Sequence, residues 1–209
     1  ACKMALEQFI SSVLERFESE RGETNGHGRI AQLSLNLDSQ ADTNLKILEG
    51  GFRQANRSVY EFGHRLSAGG RLAAAMLGIV VRDDVMAVGR VGAGSAFLYR
   101  KGELFPFFVE RSIDAAAQKL ESNFVGSNSL VNVELASVPI EESDLILIMD
   151  RAPSSGIERE MIALLKSVDF MAKDPGFPLA KGFQSLGHDP VFLLLAHLGP
   201  KAIYLAEAV

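Results

Sequence analysis

Five consecutive apolar residues, Leu145 to Met149, are bracketed by Asp144 and Asp150, and Arg151 follows at once. With the polar cluster Glu141, Glu142, Ser143 before it and Pro153 behind, the run is too short for a membrane span and suits a buried core strand. Asp150 then stands at a strand exit, where α/β and sandwich folds mount catalytic and metal-binding groups. Whether the chain is an enzyme turns on the acidic partners that Asp150 finds.

The rest of the chain narrows the class. An apolar share of 47% with 22% charged residues is that of an ordinary globular protein, and 209 residues suit one domain spanning 1–209. A net charge of −5 with scattered Lys and Arg excludes a nucleic-acid footprint, which needs clustered cations. The single cysteine, Cys2, rules out an intrachain disulfide framework and a multi-cysteine zinc site, and it fits a reducing, cytoplasmic setting. No apolar run reaches the roughly 18 residues of a membrane helix and no leader pattern opens the chain, so no membrane insertion is expected. A start at Ala1 rather than Met is what an excised domain would show.

Periodicity predicts an amphipathic helix over 4–18 within an N-terminal helical region of about 1–20, carried by Leu6, Phe9, Ile10, Val13, Leu14 and Phe17. A glycine-rich loop, 19–28, separates it from a second helix over about 44–65, whose middle Gly50 and Gly51 should weaken. From Gly70 the pattern is that of strands. Residues 72–81 and 85–91 form a hairpin, and 95–99 and 104–109 extend it as a β-meander. A short helix is expected over 112–121, a strand over 130–138, a helix over 158–170, a loop around Pro175, Gly176, Pro178 and Gly182, and a last strand over 191–197.

Several common chemistries are excluded by pattern. The glycines of 89–94 lack the GxGxxG order and no helix follows them. The four histidines, His27, His64, His188 and His197, have neither an i,i+4 pairing nor an HExxH context for zinc hydrolysis. Ser154 and Ser155 sit in no G-x-S-x-G elbow. Phe105 to Phe108 reads as core or edge-strand filling.

Five segments over about residues 25–198 matter for their order and spacing. Ile47 to Tyr60 contains Ala55, Asn56, Val59, Tyr60, an Ala-Asn-x-x-Val/Leu-Tyr pattern in which the chain resembles the metal-dependent type 2C serine/threonine phosphatase family, especially its compact bacterial members. Ala68 to Leu72 takes the place of its Gly-Thr-Thr-Leu entry to a hairpin. Ala87 to Leu98 with Arg100 to Leu104 is similar to its Val-x-Asn-Val-Gly-Asp-Ser-Arg-Ala-Tyr-Leu strands and turn. Pro139 to Asp150 resembles the segment ending in Leu-Leu-Leu-Cys-Ser-Asp-Gly, and Gly187 to Leu195 the final Asp-Asn-Ile-Thr strand. The resemblance implies an α+β fold, an αββα sandwich of two antiparallel β-sheets flanked by helices.

It also implies two divalent metals held by carboxylates, and here that set is depleted. Asp150 matches the Ser-Asp-Gly aspartate, but Arg151 replaces its glycine; Asp189 matches the last motif, with Pro190 for asparagine. Asn25 with Gly26 is the candidate for the bridging Asp-Gly pair. Ala93 and Ser95 replace an aspartate and an arginine of the hairpin motif, and the opening hairpin with its phosphate-binding arginine has no counterpart before Asn25. Were Asp150 and Asp189 to meet, a cation between them would be expected, and Arg151 and Arg90 are the candidates. The expectation is therefore a pseudophosphatase with no cofactor, binding another protein as a regulator. The alternative is a divergent, weak Mn- or Mg-dependent phosphatase in which Asp150 and Asp189 hold one metal, with Asn25, Asp38 or Asp42 completing it.

Overall fold

The computed structural model describes residues 1–24, 37–66, 72–82, 84–108, 123–151, 153, 157–169, 176–187, 193–198 and 203–208. They form two antiparallel sheets and four helices, an α+β fold. The chain divides into two compact units, Ala1–Gly92 with Arg111–Pro139, and Ala93–Glu110 with Ile140–Val209. The expected helix over 112–121 lies outside the described residues.

In the first unit, helices α1 (Cys2–Thr24) and α2 (Leu37–Arg65) accompany strands β1 (Met76–Arg82) and β2 (Val85–Val91) and, later in the chain, β5 (Glu134–Pro139). The sheet order is β1-β2-β5, so β2 is central, and all seven of its residues are buried. α1 packs on α2, and α2 lies on the sheet. Both contacts are made through glycine. Gly78 and Gly89 are register partners on β1 and β2. A methyl group at Gly89 would come 2.5 Å from the Phe52 ring, and one at Gly78 would come 2.7 Å from the Phe9 ring. The pair leaves a bare patch of sheet on which Phe9 and Phe52 stack edge to face, with centroids 5.1 Å apart at 63°.

Gly51 plays the same part between the helices. A side chain there would strike Phe9 and Val13 of α1 at 2.9 Å, and one at Gly50 would overlap the Arg16 guanidinium. The two glycines therefore do not interrupt α2, which runs unbroken for 29 residues. The propensity they cost, about 1 kcal/mol each, is offset by the close docking of α1. Asn56, buried on α2, adds a polar staple: its amide donates to the carbonyls of Asn128 (3.0 Å) and Ser129 (3.3 Å) and accepts from the Gly126 amide (2.7 Å).

The second unit holds β3 (Ser95–Arg100), β4 (Glu103–Pro106), β6 (Leu145–Met149), α3 (Glu158–Ser167), α4 (Gly176–Ser185), β7 (Leu193–Leu198) and β8 (Ile203–Ala208), with sheet order β4-β3-β6-β7-β8. Leu145, Leu147 and Met149 alternate onto one face of β6 and join Met161 and Leu165 of α3 and Leu179 and Phe183 of α4 in one core. Ile146, on the other face, is also buried, which is why the run is apolar without interruption.

Three further expectations change. The meander is divided: β1 and β2 pair in one sheet and β3 and β4 in the other. The chain crosses at Gly92 and Gly94, both at positive φ (81° and 112°), a backbone that side-chain-bearing residues rarely adopt. The expected loop around Pro175 to Gly182 is largely helix α4. Pro178 falls in its first turn, where the missing N–H has no helical acceptor to lose, and Leu179 and Phe183 anchor it. After the last expected strand a further one, β8, completes the sheet.

The register of the second sheet is held by a buried ion pair. Asp144, 1% exposed, accepts from Arg100 Nε (2.8 Å) and Nη2 (2.6 Å) and from the backbone amide of Glu141 (2.8 Å). The Glu141 carboxylate meets Arg100 (3.1 Å) and Lys101 (2.6 Å). Hydrogen bonding to Asp144 raises the Arg100 pKa further, so the guanidinium is charged at every accessible pH.

Two stability effects follow. Gly89→Ala should cost about 2–3 kcal/mol, because the new methyl meets a ring packed on all sides; urea denaturation measures it, and no loss would show that the ring yields freely. Asp144→Ala should cost about 3 kcal/mol, the low end for a broken buried pair, since Glu141 still neutralises part of Arg100.

Candidate functional site

The site begins at the end of β6. Ser95 opens β3 directly opposite Met149, the last residue of β6. Its buried hydroxyl donates to the carbonyl of Arg151 at 3.1 Å, tying the turn after β6 to the start of β3. Asp150 is carried in that turn, 31% exposed, and the Arg151 guanidinium, 55% exposed, lies beside it with Nε 3.8 Å from Oδ2. At that distance the pair is a loose Coulombic contact rather than a hydrogen bond.

The other expected site residues are placed as follows. Arg90 sits on β2 with its side chain buried, and its Nη2 donates to Glu134 Oε2 at 2.9 Å, across a register pair of β2 and β5. Asp42 is exposed on α2. Asp38 belongs to α2, but its side chain lies outside the described ones, as do residues Asn25 and Asp189. Ala93 precedes Ser95 at the crossing into the second sheet.

Two divalent ions need several anionic oxygens around each. Among the described residues no three His, Cys, Asp or Glu side chains converge, and the group facing Asp150 at 3.8 Å is a cation. The sequence showed Asp150 as a strand-exit acid and Ser95 as a replacement, but it carried no sign that the Ser95 hydroxyl ties down the turn holding Asp150.

The sequence matches no protein-family model and no curated protein. The fold does have solved neighbours. The serine/threonine phosphatase PstP of Mycobacterium tuberculosis aligns with a TM-score of 0.62 at 12% identity, over 94% of this chain and 82% of that one. The PstP catalytic domain in complex with two manganese ions gives 0.59 at 11% identity, over 98% and 81%. PppA, a key regulatory component of T6SS in Pseudomonas aeruginosa, gives 0.53 at 15% identity, over 96% and 79%. The chain has the fold of the type 2C serine/threonine phosphatases. A fold shared at such identity defines a scaffold and leaves the activity to the site.

Ser95→Ala should lower stability by about 1 kcal/mol through the lost tether, whereas Arg151→Ala should change it by less than about 0.5 kcal/mol, both by chemical denaturation. A larger loss for Arg151 would mean that its contact with Asp150 is structural.

Proposed function

We propose that this chain is a single type 2C phosphatase-like domain that has lost catalysis and acts in the cytoplasm as a protein-binding or regulatory module. The observation that carries this reading is the guanidinium of Arg151 beside Asp150, where the resemblance calls for a small glycine next to a metal-bound carboxylate. A positive charge there opposes a divalent cation at the same carboxylate. The hairpin positions support it. Ala93 has no ligand atom in its side chain, and the Ser95 hydroxyl is committed to the Arg151 carbonyl. Among the neighbours in fold, PppA is a key regulatory component of T6SS. The exposed free thiol of Cys2 suits a reducing compartment.

Calorimetric titration with Mn²⁺, run beside an aryl-phosphate assay, tests the proposal. No binding in the micromolar range and no turnover above blank are expected. Micromolar binding with turnover that disappears in Asp150→Asn would overturn it in favour of the weak phosphatase, with Asp150, Asp189 and Asn25 as the metal-holding residues.

A further inference from the structure

Helix α1 carries two apolar rows, one buried and one exposed among the described residues. Ala5, Phe9 and Val13 are buried in the core of the first unit. The neighbouring row, Leu6, Ile10 and Leu14, is 54%, 46% and 55% exposed. Eight large hydrophobic side chains are exposed among the described residues, and these three form a continuous ridge on one helix. We propose that this ridge is a self-association surface, on which a second copy of the chain packs its own α1 antiparallel, with Ile10 on the two-fold axis.

The pattern is self-complementary. Leu6 and Leu14 lie four residues either side of Ile10, so a two-fold axis through Ile10 places Leu6 of one copy against Leu14 of the other and Ile10 against itself. The charges select the direction. Lys3 lies one turn before Leu6 and Glu18 one turn after Leu14, both exposed and at nearly equal heights on either side of Ile10. Antiparallel pairing brings each Lys3 to the Glu18 of the other copy, twice. Parallel pairing would set Lys3 against Lys3 and Glu18 against Glu18. The contact Lys3 makes within its own helix, 3.9 Å to Glu7 with both side chains largely exposed, is weak enough to be exchanged. Three half-exposed side chains per copy make a small interface, in the class below about 1,200 Å², which gives a dimer that dissociates on dilution.

Sedimentation of the full chain between roughly 1 and 500 μM, a range spanning weak association, should show a monomer–dimer equilibrium. Ile10→Glu should leave only monomer while the circular dichroism spectrum is kept. Lys3→Glu, fully on the surface, should weaken the dimer about fivefold to tenfold, and Lys3→Glu with Glu18→Lys should restore it. In a Cys2→Ser background, Ile10→Cys should cross-link to itself on oxidation. Monomer at every concentration, a dimer indifferent to Ile10→Glu, or no rescue by the charge exchange would each overturn the proposal. So would binding of the native chain to anionic vesicles, lost in Ile10→Glu, without dimerisation.

Discussion

The bidentate pair of Arg100 and Asp144 is the contact on which the second unit depends. Asp144 is held out of water, and Arg100 is mostly so, and each satisfies the other while the Glu141 amide completes the carboxylate. Because Arg100 ends β3 and Asp144 leads into β6, the pair admits only the register in which Tyr99 faces Leu145 and Ser95 faces Met149. A slip of one residue would turn Leu145, Leu147 and Met149 away from the helices and break the ion pair together. At the far end of the same two strands, Ser95 closes the register by binding the Arg151 carbonyl. Asp150 is thus positioned by two polar contacts, neither of which it makes itself.

The first unit solves a different problem with glycine. Two aromatic rings and a helix must approach a sheet and another helix more closely than side chains allow, and Gly78, Gly89 and Gly51 remove the obstacles at the three points of contact. The Phe9 and Phe52 rings then fill what would otherwise be voids in a core also containing Leu48, Ala55 and Val59. Asn56 shows how a motif residue can be structural. The asparagine that helped signal the phosphatase resemblance spends its amide on the carbonyls and amide of a loop more than 60 residues away in sequence, at Gly126, Asn128 and Ser129.

β2 and β6 were legible in the sequence at their observed bounds, Val85–Val91 and Leu145–Met149: β6 is an uninterrupted apolar run between two aspartates, and β2 is an apolar-rich stretch that begins after the charged turn Arg82 to Asp84 and stops at Gly92. α4 was hidden, since proline and glycine at its start are loop signals unless one sees that they fall where a helix has no hydrogen bonds to lose. The division of the meander was hidden too, because pairing partners are not written in local pattern: β3 looks like a continuation of β2 but pairs with β6, some 50 residues on. At the site, Asp150 was visible as the acid at a strand exit. The role of Ser95 was not, as a serine at the start of a strand has no local partner to betray it.

The sequence by itself determined the elements whose signal is carried by neighbours a few residues apart: the existence of helices α1 and α2, the buried β2 and β6, and the replacement of glycine by Arg151, whereas the structure buried Phe9 and Val13 of the expected α1 stripe and left Leu6, Ile10 and Leu14 exposed. Only the tertiary structure decided which sheet each strand joins, that Gly50 and Gly51 serve docking rather than breaking a helix, and that Arg100 and Ser95 hold the two ends of one strand pair. Those outcomes rest on contacts between residues 44 and 56 positions apart, and similar distances elsewhere. A linear pattern records what each residue prefers, and it takes the folded chain to record whom it meets.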